Sequence, residues 1–349
     1  MNEWLAAKNI LAVRMDNIGD LLMLGPALRA IKENSPQARL TLLASPAGTT
    51  AATLLPWVDD TITWRAMWQD IGDSAPFEPE REQQLIQLLR EHHFDAAFIF
   101  TSFSQDPHTP GYVCYLAGIP LRAGDSKEFG GKTLSTELRN TPTELHQVER
   151  NLRLIEHVGF MVHDRRLVVF LTKEDHAQAT DILRSLDIQS GTPYIIIHPG
   201  ASARARRYPI QKFASVASML AERGWPVLVT GNAREETLLK EMQQSAPGAR
   251  YLPGQTSLGG YAALIEKAAL VICNNSLPLH LADALNTPVV ALFAGTDLEE
   301  QWRPRTTRAR LLRRPTPCHP CHLFTCPIGQ PCLDIPPEEV VAEGEAILE

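Results

Sequence analysis

Short apolar runs alternate with helical patterns along almost the whole chain. In the first half NILAVR, RLTLLAS, DTITW and DAAFIF have strand length and are bounded by turn residues. Between them LLMLGPALRAIKENS, GTTAATLLPWV and PEREQQLIQLLREHH repeat apolar residues at helical spacing. Strands spaced by helices predict βαβ units and a parallel sheet. The rhythm breaks at TSFSQDPHTPGYVCYLAGIPLRAG, where Gly and Pro mark loops and one helix is expected around Tyr112–Gly118.

ELHQVERNLRLIEHVGF predicts a long helix ending at Gly159, and FMVHDRRLVVFLTKED reads as a crossover into a second unit. The alternation then restarts more clearly. Strands are expected at YIIIHPG, PVLVTGN, ARYLPG, LVICNN and VVALFAG, with helices at QKFASVASMLAERG, REETLLKEMQQS, LGGYAALIEKA and SLPLHLADALN. A loop rich in Pro, Cys and Arg follows, then a short helix at PPEEVVAEGEAIL. The fold class is α/β: two doubly wound units joined by a linker and expected to face each other across a cleft. Ligands of such sheets bind beyond the carboxyl ends of the strands. That rule selects the loops Asp16–Asp20, His198–Arg207, Gly231–Arg234, Asn274–His280 and Gly295–Asp297.

At 349 residues, two domains are the natural division. A formal charge of −7 argues against general nucleic-acid binding, although it leaves local basic sites open. The opening MNEWLAAKNILAV lacks the features of a secretory signal, and no apolar run approaches the length of a membrane span, so a cytoplasmic protein is expected. The six cysteines then read as thiols or metal ligands.

The loops carry the chemistry. HPGASARARRYP leaves a strand, offers Ser202, and presents Arg204, Arg206 and Arg207 ahead of a helix. Helix-start N–H groups and guanidiniums together suit a phosphate; the plainer alternative is a solvated basic turn. In CNNSLPLHLADAL, His280 falls on the first turn of a helix after a buried strand. There it has the position to donate to a phosphate oxygen, or to be purely structural. In MDNIGDLL, Asp20 is either a helix cap or a charged base, with Asp16 its rival.

Arg303, Arg305, Arg308, Arg310, Arg313 and Arg314 imply either an anionic partner or a solvated extended edge. Cys318, Cys321, Cys326 and Cys332 form CHPCHLFTCPIGQPC. This spacing admits a structural zinc, reduced thiols packing a loop, or a disulfide; it is not the strand-to-helix setting of a redox CxxC. GxGxxG, GxxxxGK[ST] and GxSxG are absent, and no DxD pair sits at a convincing strand end.

These segments resemble glycosyltransferase family 9, the ADP-heptose:lipopolysaccharide heptosyltransferases. The resemblance runs through VRMDNIGDLLMLGPALRAIKENSPQARL, IHPGASARARRYPIQKFASVASML, NNSLPLHLADALNTPVVALFAGTD and the Cys-bearing CHPCHLFTCPIGQPCLDIPPEEV, in order over nearly the whole chain. It implies a GT-B architecture: an acceptor-side domain over 1–170, a nucleotide-sugar domain over 171–335, and a C-terminal helix, 336–349, packing back on the first domain. It also implies inverting, metal-independent transfer of a heptose from ADP-heptose to a lipopolysaccharide-core or related glycan. No cofactor is required, and peripheral contact with the inner membrane is compatible with a lipid-linked acceptor.

By position, Asp20 matches the family's proposed general base, Ser202 a phosphate-contacting hydroxyl, Arg206 a diphosphate-contacting Lys, and His280 the His beside the donor phosphates. Asn275 and Ser276 fall in the same donor-binding segment. Two departures stand out: Asn275 replaces an acidic residue, and Leu277 replaces a Gly that would let backbone approach a phosphate. Arg for Lys at 206 keeps the charge but changes its geometry. The departures leave room for a different nucleotide-sugar donor, or for a sugar-nucleotide binder without turnover.

Overall fold

The computed structural model describes residues 2–69, 76–254 and 256–349. It divides into two units, Met1–Val168 and Val169–Glu349. In the first, α1 (Glu3–Ala6), β1 (Asn9–Arg14), α2 (Ile18–Leu22), α3 (Gly25–Asn34), β2 (Arg39–Ala44) and β3 (Asp60–Thr63) open the chain. Then come α4 (Pro79–Glu91), β4 (Ala96–Ile99), α5 (His108–Leu116), β5 (Leu121–Asp125), β6 (Thr136–Leu138) and α6 (Gln147–His157). The sheet is parallel in the order β3-β2-β1-β4-β5-β6. Its central strands are buried on both faces, as continuous apolar runs such as Ile10–Val13 require.

Parts of this unit escape the sequence pattern. Strand β5 reads LRAGD, and its polar residues are buried rather than solvated. Arg122 turns its guanidinium onto the carbonyls of Ile119, Pro120 and Thr133. Gly124 is there because a Cβ would lie 2.7 Å from Cβ of Pro107. Helix α5 starts at His108, ahead of the expected Tyr112, because Asp106 Oδ1 accepts its N–H at 2.8 Å. Gly48–Leu54 forms a 3₁₀ helix, held close to the β1 loop by Gly48, whose Cβ would meet the Asp16 carbonyl at 2.9 Å.

The second unit contains α7 (Lys173–Ser185), β7 (Ile195–His198), α8 (Ile210–Glu222), β8 (Val227–Gly231), α9 (Glu236–Ser245), β9 (Arg250–Pro253) and α10 (Leu258–Lys267). It continues with β10 (Leu270–Asn274), α11 (Leu277–Leu285), β11 (Val289–Leu292), α12 (Glu299–Trp302), β12 (Ala309–Leu312) and α13 (Pro337–Leu348). The order is β12-β11-β10-β7-β8-β9, so this sheet repeats the topology of the first. Both follow the Rossmann order, with a topological switch point between their first and fourth strands.

The C-terminal helix completes the second unit's core. Val340, Val341 and Ile347 of α13 are buried in the second unit's own core beside Phe213, Leu220 and Leu270. Gly344 comes within van der Waals reach of Leu270, where a Cβ would stand at 3.0 Å. The helix therefore packs on the second unit's own sheet and on α8.

Candidate active site

At the switch point of the first sheet, β1 ends in Arg14, whose side chain is fully buried. A guanidinium without water must find anions, and two converge on it. Its Nε lies 2.6 Å from Asp16 Oδ2, and its Nη2 lies 3.4 Å from Asp20 Oδ1. The two carboxylates differ in how firmly they are held. Asp16 Oδ1 also accepts from Gln69 at 2.9 Å and from Gln105, on the loop after β4, at 2.5 Å. Among the described residues, Asp20 accepts a long bond from the Asn17 backbone N–H, at 3.3 Å, beyond its contact with Arg14. Its side chain is 19% exposed against 10% for Asp16. Burial pushes the Asp16 carboxyl above the usual range; Arg14 and Gln105 pull it down, and the neighbouring Asp20 charge pushes it up. Asp16 is thus a fastened structural carboxylate and Asp20 an accessible one.

At the switch point of the second sheet, the loops after β7 and β10 lie side by side, because those strands pair in parallel. Asn274 ties them together from within. Its Oδ1 accepts from Tyr208 N–H at 2.9 Å, and its Nδ2 donates to the carbonyl of Pro199 at 2.8 Å. Underneath, Glu235 occupies the space a side chain at Gly200 would need: a Cβ there would sit 1.9 Å from its Oε1. Its Oε2 accepts from Asn232 N–H at 2.9 Å and faces His198 Nε2 at 3.7 Å. Burial drives the His198 imidazole below its ordinary value, and Glu235 partly offsets this.

From this braced loop Arg206 meets Asp297, Nη2 to Oδ2 at 2.8 Å, while its Nε donates to Thr296 Oγ1 at 3.3 Å. His280 is buried on the first turn of α11, after the N-cap Ser276. Burial lowers its pKa, Asp283 raises it and the nearby Arg206 charge lowers it, leaving it at about 4. The imidazole is therefore neutral at pH 7. Asn275 is buried between β10 and the cap, and Ser276 Oγ donates to the Asn274 carbonyl at 3.4 Å. The structure thus gathers Arg206, Asn275, Ser276 and His280 at one sheet end.

The remaining expected residues of this loop separate. Ser202 and Arg204 are exposed, and Arg207 braces the loop by donating from Nε to the Ala201 carbonyl at 2.8 Å. The sequence reading selects the loops that hold Asn274, Thr296 and Asp297 without giving these residues a role, and stops one residue short of Glu235. A polar residue ending an apolar strand was the available signal for Asn274, since a buried amide must be hydrogen-bonded.

Zinc is not supported at the cysteines. Among the described residues no group of three or more His, Cys, Asp or Glu side chains is placed to hold a metal. Cys332 is buried in the apolar core, Cys318 is exposed, and the Cys326 sulfur accepts from Gln330 N–H at 3.3 Å. The thiols pack a loop. The arginine run is also partly structural: Arg310 pairs with Glu343, Arg313 with Glu299 and Arg314 with Glu339, tying edge strand β12 and the segment after it to α12 and α13.

Two Rossmann-type units, one with an accessible carboxylate and the other with an arginine-bearing loop at its switch point, have the GT-B architecture of glycosyltransferases. A family model described as glycosyltransferase family 9 (heptosyltransferase) matches residues 83–330, and the chain belongs to that family. It is 26% identical to lipopolysaccharide heptosyltransferase 2 of Escherichia coli K12, over 97% of this chain and 98% of that protein. It is 34% identical to a lipopolysaccharide heptosyltransferase 3 of Escherichia coli, over 82% and 83% of the two chains. The structure of E. coli ADP-heptose lps heptosyltransferase II shares its fold with a TM-score of 0.75 at 24% identity, covering 97% of this chain and 98% of that one.

Proposed function

We propose that this enzyme moves a heptose from ADP-heptose to a lipopolysaccharide-core or related glycan, with inversion and without a catalytic metal. The relatives named above support this donor and acceptor. The observation that carries it is the convergence at one sheet end of Arg206, held by Asp297 at 2.8 Å, and buried His280 on the first turn of α11. A diphosphate there would meet a guanidinium, an imidazole N–H and helix-start amides.

In the proposed reaction the second unit, 171–335, holds the donor and the first, 1–170, serves the acceptor. Asp20 takes the proton of the acceptor hydroxyl as its oxygen attacks the sugar's anomeric carbon. The bond from that carbon to the diphosphate breaks, and single displacement inverts the centre. Charge growing on the leaving ADP is met by Arg206, His280 and the α11 amides, a role that calls for no divalent ion. Ser202, Arg204 and Arg207 lie on the same loop, where a bound donor can recruit them. The acceptor is lipid-linked on this reading, so the enzyme works from the cytoplasm as a peripheral partner of the inner membrane. No helix among the described residues is long and apolar enough to cross a membrane.

Asn275 and Leu277 favour one second reading, a different nucleotide-sugar donor. Thermal unfolding with saturating ADP, UDP, GDP and their sugars separates the two. A ligand at about 100 times its dissociation constant stabilises the native state by about 2.7 kcal/mol. Selective stabilisation by ADP and ADP-heptose, followed by heptose transfer to a heptose-deficient core glycan, is the expected result. Stabilisation by another nucleotide alone supports the altered donor, and stabilisation without transfer supports a binder lacking turnover.

A further inference from the structure

The Cys-bearing segment 318–332 is bonded to both loops that present Arg206 and its partner. On one side Cys321 N–H donates to the Gly295 carbonyl at 3.0 Å and His322 N–H to the Thr296 carbonyl at 2.9 Å, immediately before Asp297. On the other, Ala205 N–H donates to the Phe324 carbonyl at 2.9 Å. Gln330 then closes the contact. Its Nε2 donates to the carbonyls of Arg204 at 2.8 Å and Arg207 at 3.0 Å, bracketing the 3₁₀ turn that carries Arg206. Gln330 itself has φ 58°, a left-handed conformation uncommon outside glycine. The segment's far end is anchored where buried Cys332 enters the core and its carbonyl accepts from Arg314 N–H at 2.8 Å.

We propose that this segment is a clasp that sets the position of Arg206 for the donor diphosphate, with Gln330 as the positioning residue. The inference rests on the donor role proposed for Arg206. Backbone bonds alone fix the two loops' edges. The Gln330 amide is the side chain that spans the turn, so its two bonds decide whether Arg206 and Asp297 stay in register. Gln330 is half-exposed, so its removal touches little of the core.

The test is a double-mutant cycle read by ADP titration calorimetry, using wild type, Gln330→Met, Arg206→Ala and the double variant. Met keeps the length of Gln without its donors or any new charge. Losing two hydrogen bonds weakens ADP binding about tenfold in the wild-type background. In the Arg206→Ala background the same change is expected to have no further effect, which a merely structural role would not produce. Gln330→Gly, which suits the left-handed backbone, replaces Met if that variant does not fold. Unchanged ADP affinity in the Gln330 variant overturns the clasp alone, as does an equal loss in both backgrounds. If wild type does not bind ADP, or Arg206→Ala binds it equally well, the donor reading fails and the clasp's role goes with it.

Discussion

Arg206 is held by Asp297, with 2.8 Å between Nη2 and Oδ2, so the cation offered to the donor is already half-neutralised by a carboxylate. The contact orients the guanidinium but opposes an incoming anion. Arg206→Ala is expected to weaken ADP binding by about 2 kcal/mol, the scale of a charge-assisted hydrogen bond. Asp297→Asn should do the reverse. It keeps an acceptor near Nη2 while removing the negative charge, and ADP affinity rises a few-fold. Calorimetry on both variants checks the pair, and weaker binding by Asp297→Asn would show that orientation outweighs charge.

His280 makes the second unit sensitive to acid. Its imidazole sits at about 4 when folded, against an ordinary value of 6.5. Between those values the unfolded chain binds a proton that the folded chain does not, so stability falls as pH falls through that window. Between pH 7 and pH 5 the loss from this residue is about 2 kcal/mol. His280→Gln removes that part of the slope, which urea unfolding at the two pH values would measure. Saturating ADP should flatten the wild-type slope as well, because a bound diphosphate favours the protonated imidazole and raises its pKa.

The parts of the fold legible in the sequence were those in which burial and apolarity coincide. Ile10–Val13 and Leu270–Cys273 are apolar on both faces and read as central strands. Strand β5 did not, because Arg122 and Gly124 are explained by carbonyls and a proline brought near by the chain's return. The edge strand β12, ARLL, is charged on its open side and pairs through Arg310 with a helix further along the chain. The site shows the same division. Loops after strands were visible, and with them Asp20, Arg206 and His280. The contacts that set their chemistry join distant segments: Arg206 to Asp297, Asp16 to Gln105, Arg204 to Gln330. No local spacing encodes such pairs.

Asp16 and Asp20 share one guanidinium but are predicted to contribute unequally to turnover. Asp16 is occupied by Arg14, Gln69 and Gln105, whereas among the described residues Asp20 makes two long contacts. Asp20→Asn should lower transfer about a thousandfold, the scale of a lost general base, with ADP affinity unchanged. Asp16→Asn keeps most of its hydrogen bonds and should stay within about tenfold of wild type. Arg14→Met leaves two carboxylates beside an apolar side chain and should cost about 3 kcal/mol of stability. Comparable losses of turnover from the two Asn variants would remove the assignment of Asp20 over Asp16.

The cysteines offer the last contrast, because their environments differ within fifteen residues of chain. A structural metal would make the four act together, and removing it would unfold the segment. Here Cys332 is 8% exposed in an apolar core, and Cys318 is exposed with its sulfur 3.6 Å from Thr316 Oγ1. Chelation should therefore leave the melting temperature unchanged, and the purified protein should carry zinc well below one ion per chain. Cys318→Ser should be silent. Cys332→Ser places a hydroxyl in the second unit's apolar core and should cost about 1–3 kcal/mol. Equal destabilisation by the two serine variants, with stoichiometric zinc, would return the cluster to a metal site.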